Sequence, residues 1–324
     1  MEQSIERKAM AAVGILTSDQ VRAVLSAAIT APSRYNSQPW RFRCTPSAIE
    51  LYADDAELFP LNEAASRELR VACGAALLNL RVAITGLGVH PVVRLLPNPY
   101  RPDLLASVRP QGRRAVTPDD LTLLAAIPRR RTNRRPFATG PAPTRLINNL
   151  RRAAKLEQSW LARMTPAQLP RLRAMVRQAQ ATQQRDPAFR PAPAVRADHE
   201  RIEPCEDWLL RNLSGPATRP RPGPDDEPSP LLVAVGSFHD VPLAHLQAGQ
   251  AMQRVLLVAT AEGLSASFLS QVVDVAGVRR QLRALVGGGL WPQVVLRLGY
   301  GSRPPATARR PLADVLDREA LSLY

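Results

Sequence analysis

Two short stretches gather side chains that can grip a polar ligand. The first, APSRYNSQPWRF at Ala31 to Phe42, sets Ser33, Asn36 and Gln38 between Pro32 and Pro39. The prolines fix the backbone locally, and the short polar side chains offer donors and acceptors that need little ordering. Such a loop suits the polar edge of a planar heterocycle; it would serve equally as a turn over a buried Trp40 and Phe42. The second stretch, RRRTNRRPF, runs from Arg129 to Phe137. On an extended chain Arg130, Thr132 and Arg134 project to one side, where forked guanidinium bonds can take a phosphate or an electron-rich carbonyl. The plainer alternative is a solvated basic turn. Arg309 and Arg310, ahead of Pro311, offer a second pair of guanidinium groups with the same two readings.

Other chemistries find no support. No G-x-x-x-x-G-K-[ST] occurs, and no G-x-G-x-x-G falls between a strand and a helix. The histidines His90, His199, His239 and His245 are not spaced as ligands with one another or with a cysteine, so no metal is expected. His239-Asp240 lacks a Ser or Cys in a nucleophile-elbow context, which removes the basis for a hydrolase.

The elements that must position these stretches follow from periodicity. Thr17 to Thr30 reads as a helix capped by its threonine, with Val21, Val24, Leu25 and Ile29 on one face. Strands are expected at Ala48 to Ala53 and Val92 to Leu96, with a helix from Arg67 to Gly86 between them. A second round follows: a helix from about Thr144, a strand at Leu231 to Gly236, a helix around Gln247 to Glu262 and a strand at Gln293 to Leu298. The class is α+β. At a constant offset of 175 positions Gly74 falls on Gly249, Ala76 on Ala251, Thr85 on Thr260 and Gly88 on Gly263. These coincidences predict an internal duplication into lobes at 1–112 and 113–324, packed around a pseudo-two-fold axis. Asp186 to Pro230 holds ten of the 31 prolines and is expected to be an irregular flap.

Composition sets the outer bounds. The greasiest segment, Val71 to Val89, is broken by Asn79 and Arg81, so no membrane span is expected. The cysteines Cys44, Cys73 and Cys205 are odd in number and scattered, and the N-terminus has no signal architecture, which makes the cytoplasm the default expectation. The net charge of +15 invites nucleic acid. Yet 41 of the 43 basic residues are arginine, a skew that a GC-rich genome also produces, and aromatics at 5% are too few for stacking platforms. A bound anionic cofactor on a basic surface is the expectation instead.

With these residues in view, the sequence resembles the FMN-dependent nitroreductase superfamily. The resemblance rests on P-S-x-x-N-x-Q-P-W at Pro32 to Trp40, R-x-[ST]-x-R at Arg130 to Arg134, G-L-x-x-x-x-[LI] at Gly263 to Leu269, and a basic pair before PLADV at Arg309-Arg310. It covers most of the chain from Thr17 to Val315. In ordinary homodimeric members FMN sits at the subunit interface, taking the P-S-x-x-N loop from one subunit and the other segments from its partner. Here the loop occurs once, in the first lobe, and the remaining segments once, in the second. That implies the Acg-like single-chain branch, with two tandem lobes mimicking the family homodimer, one flavin site per chain and a monomer as the working unit.

Carried over residue by residue, the resemblance puts Pro32, Ser33, Arg34 and Asn36 at the flavin ring. It puts Arg130 and Thr132 at the phosphate or ribityl chain, and Arg134 near the N1 and C2 carbonyl edge. Backbone N–H groups around Leu269, Ser270 and Gln271 would face N5, and Arg309 with Arg310 would complete the phosphate grip. Many relatives have an acidic residue in the N5 turn where this chain has Ser270. The implied activity is hydride transfer from NAD(P)H to FMN and onward to a small acceptor such as a nitroaromatic or quinone. The alternative is FMN sequestration beneath the flap with little turnover.

Overall fold

The computed structural model describes residues 12–54, 63–135, 137, 143–186, 189 and 231–317. Helix α1, Ser18–Ala28, starts at a capping box: the Thr17 hydroxyl accepts from Gln20 N, and Thr17 N donates to the Gln20 side chain. A 3-10 turn at Arg34–Asn36 leads into the hairpin β1 (Trp40–Cys44) and β2 (Ile49–Ala53). The long helix α2 (Glu63–Gly86) and a second hairpin, β3 (Val89–Leu95) with β4 (Leu104–Arg113), follow. The short helix α3 (Pro118–Ala126) is capped by Thr117. Next come α4 (Thr144–Leu156), β5 (Trp160–Arg163), α5 (Leu169–Arg185), β6 (Leu231–Ser237) and the second long helix α6 (Pro242–Ala261). The series closes with β7 (Ser265–Phe268), α7 (Gln271–Asp274), α8 (Ala276–Leu285) and β8 (Trp291–Gly299).

Every strand pairing is antiparallel, and the two four-stranded sheets share one order: β1-β2-β4-β3 and β5-β6-β8-β7. Each sheet is built from one run of helix, strand, strand, long helix, strand and strand. The second run has α5 added after β5, and α7 with α8 added after β7. The α+β expectation therefore holds. Of the Pro-rich segment read as a flap, only Asp186 and Phe189 lie among the described residues.

The lobes meet where α2 crosses α6, the most extensive interface between any two elements. Two glycines make the crossing close. A Cβ on Gly74 would strike the backbone oxygen of Leu246, and one on Gly249 would strike that of Val71. Residues 71 and 246, like 74 and 249, are 175 apart, so each helix presents its equivalent position to the other.

The polar residues that interrupt the apolar run of α2 serve the same interface. Asn79 Nδ2 donates to Ala27 O at 3.1 Å, and its Oδ1 accepts from Gln253 Nε2 at 2.7 Å. Arg81 donates to Glu157 and Gln250, both at 2.6 Å. These bonds engage both ends of the Asn79 amide and help fix the register of the elements they join, while Gln253 Oε1 stays buried without a partner. Among the described residues α2 alone has the length and hydropathy of a membrane span, and it is instead packed inside the protein.

Beyond β8 the chain leaves its own sheet and crosses to the other. Leu316 forms a parallel bridge with Phe42, Asp317 N donates to Phe42 O at 2.8 Å, and Arg43 pairs with Asp317 at 2.8 Å. In the reverse sense Thr132 bridges Ala266 on β7, and Asn133 N donates to Ala266 O at 2.7 Å.

Candidate functional site

These crossings bring the two sequence stretches to one cavity of ≈ 200 Å³. Pro32, Ser33 and Arg34 reach it from the turn after α1, Thr132 and Arg134 from the segment beside β7, and Ser270 with Gln271 from the start of α7. Val71, Ala72 and Met252, from the two crossing helices, supply an apolar surface.

The turn is held in an uncommon backbone conformation. Tyr35, Asn36 and Gln38 have φ of 51°, 59° and 50°, which for residues other than glycine costs on the order of 1–3 kcal/mol each. Fixed contacts oppose that cost. Gln38 N donates to Ser33 Oγ at 2.9 Å, Asn36 Nδ2 to Ala308 O at 3.0 Å, and Arg310 N to Gln38 Oε1 at 3.0 Å. Asn36 thus faces the C-terminal arm rather than the cavity.

Arg309 is anchored through that arm. Its guanidinium donates to Asn36 Oδ1 and to the carbonyls of Ile29, Thr30 and Ala31 at the end of α1, at 3.1–3.3 Å. Arg130 reaches the same Thr30 carbonyl and the Thr132 hydroxyl, both at the long limit of 3.5 Å. Neither arginine has a carboxylate partner among the described residues. Burial, followed by the charge of Arg309, pushes the Arg130 guanidinium down to about 9; burial, followed by Arg131, takes Arg309 down to about 10. These two cations, without a carboxylate partner among the described residues and set behind Thr132, which lines the cavity while they do not, form a site that an anion would stabilise.

Arg310 does not join them. Its side chain turns to Asp54 at 3.2 Å and to Asp314 O at 2.7 Å, and its links to the turn are its backbone N–H on Gln38 Oε1 and a long 3.5 Å contact from its guanidinium to Gln38 O. Leu269 also stands apart, since its N–H is already donated to Val295 O at 2.9 Å and its side chain lies in a core cluster. Of the three residues expected to face N5, Ser270 and Gln271 remain at the cavity.

Several lining residues were not singled out in the sequence. Arg34 Nη1 lies 3.2 Å from both Glu68 Oε2 and Asp274 Oδ2, and Arg67 Nη2 lies 3.4 Å from Asp274 Oδ1. Burial drives the Glu68 carboxyl up to about 7, with Arg34 pulling against it and Asp274 adding to it. A folded carboxyl that keeps its proton to about pH 7, against an ordinary 4.5, makes stability fall as pH rises through that window. Gln271 is buried with neither side-chain polar atom hydrogen-bonded, and Gln183 Nε2 is likewise buried without a partner. Unpaired buried amides on a cavity wall imply a ligand with its own donors and acceptors.

The chain on either side of Arg134 is held by Arg297, which is fully buried. Arg297 donates to Ser267 Oγ and Arg135 O, both at 2.9 Å, and to Asn133 O at 3.3 Å, and it stacks 4.0 Å from the Phe137 ring. Arg297→Met removes all three bonds and strands the buried Asn133 carbonyl. It is expected to cost about 3 kcal/mol, at roughly 1–3 kcal/mol for each group so stranded, read as a lower denaturant midpoint.

Comparison with known proteins places this geometry. No family model matches the chain. In Mycobacterium tuberculosis (strain ATCC 25618 / H37Rv), the protein named "Putative NAD(P)H nitroreductase Rv3131" is 32% identical over 320 residues, covering 93% of this chain and 92% of the relative. "Putative NAD(P)H nitroreductase acg" from the same strain is 27% identical over 323 residues, covering 93% and 96%. Among solved structures, a nitroreductase with bound FMN from Bacteroides fragilis NCTC 9343 gives a TM-score of 0.39 at 16% identity, over 58% of this chain and 93% of that one. Iodotyrosine deiodinase bound to FMN and 3-iodo-L-tyrosine gives 0.41 at 16%, over 58% and 95%. At those scores the structural likeness adds nothing to the assignment, which rests on the near full-length similarity to Rv3131: the chain belongs to the NAD(P)H nitroreductase family of Rv3131 and Acg.

Proposed function

We propose that the chain is an FMN-dependent NAD(P)H oxidoreductase that passes electrons to a small organic acceptor, with one flavin site assembled from both halves of a single chain. The observation that carries this reading is a pairing of features: unpartnered Gln183 and Gln271 amides on the cavity wall, and Arg130 with Arg309 set behind Thr132, which lines that cavity while they do not. A monophosphate joined to a planar, amide-edged ring system matches both, and FMN has that chemistry. The residues fit the group. Arg130 and Arg309 would hold its phosphate, with Thr132 beside them. Pro32, Ser33 and Arg34 would line the ring from the first half, and Arg134 would lie at the edge where negative charge accumulates on reduction. Ser270 and Gln271 would face it from the second half. Bound FMN supplies the two-electron chemistry; the protein supplies position and electrostatics. The working unit is one chain.

The purified protein is expected to show flavin absorption bands that bleach on anaerobic addition of NADPH or NADH. Bands that persist with both nucleotides would assign it to flavin sequestration instead. No flavin, even after soaking with FMN, would overturn the reading.

A further inference from the structure

A second cavity, of ≈ 210 Å³, lies behind the first, walled by apolar residues including Pro39, Leu69, Pro102 and Leu105. Arg34, Glu68 and Ala72 line both cavities. Alanine carries no exchangeable acid, and Arg34, buried yet held between two carboxylates, has its pKa raised and stays charged. Glu68 is therefore the member of this partition that can gain and lose a proton.

We propose that Glu68 protonates a small acceptor reduced in the first cavity and regains its proton from water in the second. The inference rests on the flavin reading above. Its geometric basis is the unequal sharing of cations. Arg34 contacts Glu68 and Asp274 alike at 3.2 Å, while Asp274 also has Arg67 at 3.4 Å. Glu68 is thus the less compensated of two neighbouring carboxylates, and the one on which a proton settles. The groups around it are Arg34 and Tyr35 from the turn, Arg67 and Arg70 from α2, Asp274 from α7, and Asp103 across the second cavity. Its side chain is 20% exposed, and it lines both spaces. An acid poised near operating pH is the kind that donates efficiently, and the Glu68 carboxyl is raised to about 7.

The step balances. Bound FMN, recharged by NAD(P)H, would supply a hydride and Glu68 a proton, so that a quinone would become the hydroquinone and Glu68 a carboxylate. A nitro group takes the same hydride and proton, breaks one N–O bond and yields a nitroso group and water. In both cases the Glu68 carboxylate then takes a proton from water.

The test follows reoxidation of the reduced, FMN-loaded protein by benzoquinone, from about pH 5 to about pH 9, in wild type and Glu68→Gln. The wild-type rate is expected to fall as pH rises through about 7. Glu68→Gln is expected to be slower by roughly 100-fold, with a flat profile and a KM for quinone within about twofold of wild type. A variant that keeps the wild-type rate and pH profile overturns the proposal. Infrared titration of the wild type gives a second readout that needs neither turnover nor a variant. A protonated-carboxyl stretch lost near neutral pH supports the assignment, and its absence overturns it. Failure to retain flavin would instead defeat the functional reading and leave the infrared result to decide on Glu68.

Discussion

Replacing Arg130 and Arg309 together by methionine is expected to abolish retention of FMN through gel filtration and to weaken its dissociation constant by roughly 10²–10⁴. The size follows from two charge-assisted contacts to a phosphate, each worth about 1.5–3 kcal/mol. Stability should move differently. Arg130 is almost wholly buried without a carboxylate partner among the described residues, so its charge is held at a cost in the flavin-free protein. Arg130→Met alone should therefore raise the thermal midpoint of the flavin-free protein even as it lowers flavin affinity. Arg309 also caps the carbonyls of Ile29 to Ala31, and its loss returns some of that gain. A double variant that binds FMN with wild-type affinity would remove the phosphate assignment.

The second large effect is expected at the helix crossing. Gly249→Leu places a branched side chain against the backbone of Val71, where even a Cβ collides. Backbone cannot swing aside as a side-chain tip does, so α2 and α6 must separate along their shared core. Overpacking costs about 1–3 kcal/mol where side chains can adjust; here the loss should exceed 3 kcal/mol. Gly277→Ala in α8 is the control, because its added methyl meets nothing within 4 Å. It should be neutral or stabilising by up to about 1 kcal/mol. Denaturant unfolding of both variants separates a packing clash from a helix-propensity effect, and equal midpoints would contradict the close crossing.

What the sequence revealed depended on whether the signal was local. Both long helices were readable from apolar runs of helical length, and Gly74 and Gly249 announced their equivalence because a close crossing tolerates no Cβ. Strand β1 was missed although WRFRC alternates buried and outward residues, since the Pro-rich motif drew Trp40 into the loop reading. β7, at four residues, is too short to show an alternation of its own. β4 carries Pro110 and Gly112, both punctuation residues, and β5 follows directly on a helix.

The cavity divides along the same line. Pro32, Ser33, Arg34, Thr132, Arg134, Ser270 and Gln271 came from motifs and all line it. Glu68, Asp274 and Gln183 had no such mark, because their significance lies in distances between α2, α7 and α5 that no single stretch encodes. Arg310 illustrates the converse. Its motif paired it with Arg309, yet adjacent residues on an extended arm point to opposite sides, and Asp54 captures the second guanidinium.

The C-terminal arm carries a temporal consequence. Ala308 and Arg309 clamp the strained turn at Tyr35 to Gln38, so the first residues of the cavity to be synthesised are fixed by nearly the last. On a ribosome the first sheet and α2 can form while α6 and the arm are still absent, but the pair of guanidinium groups cannot, because Arg130 and Arg309 emerge far apart in time. A nascent chain therefore lacks the Arg130–Arg309 pair until Arg309 has emerged, long after the residues of the first sheet have been made.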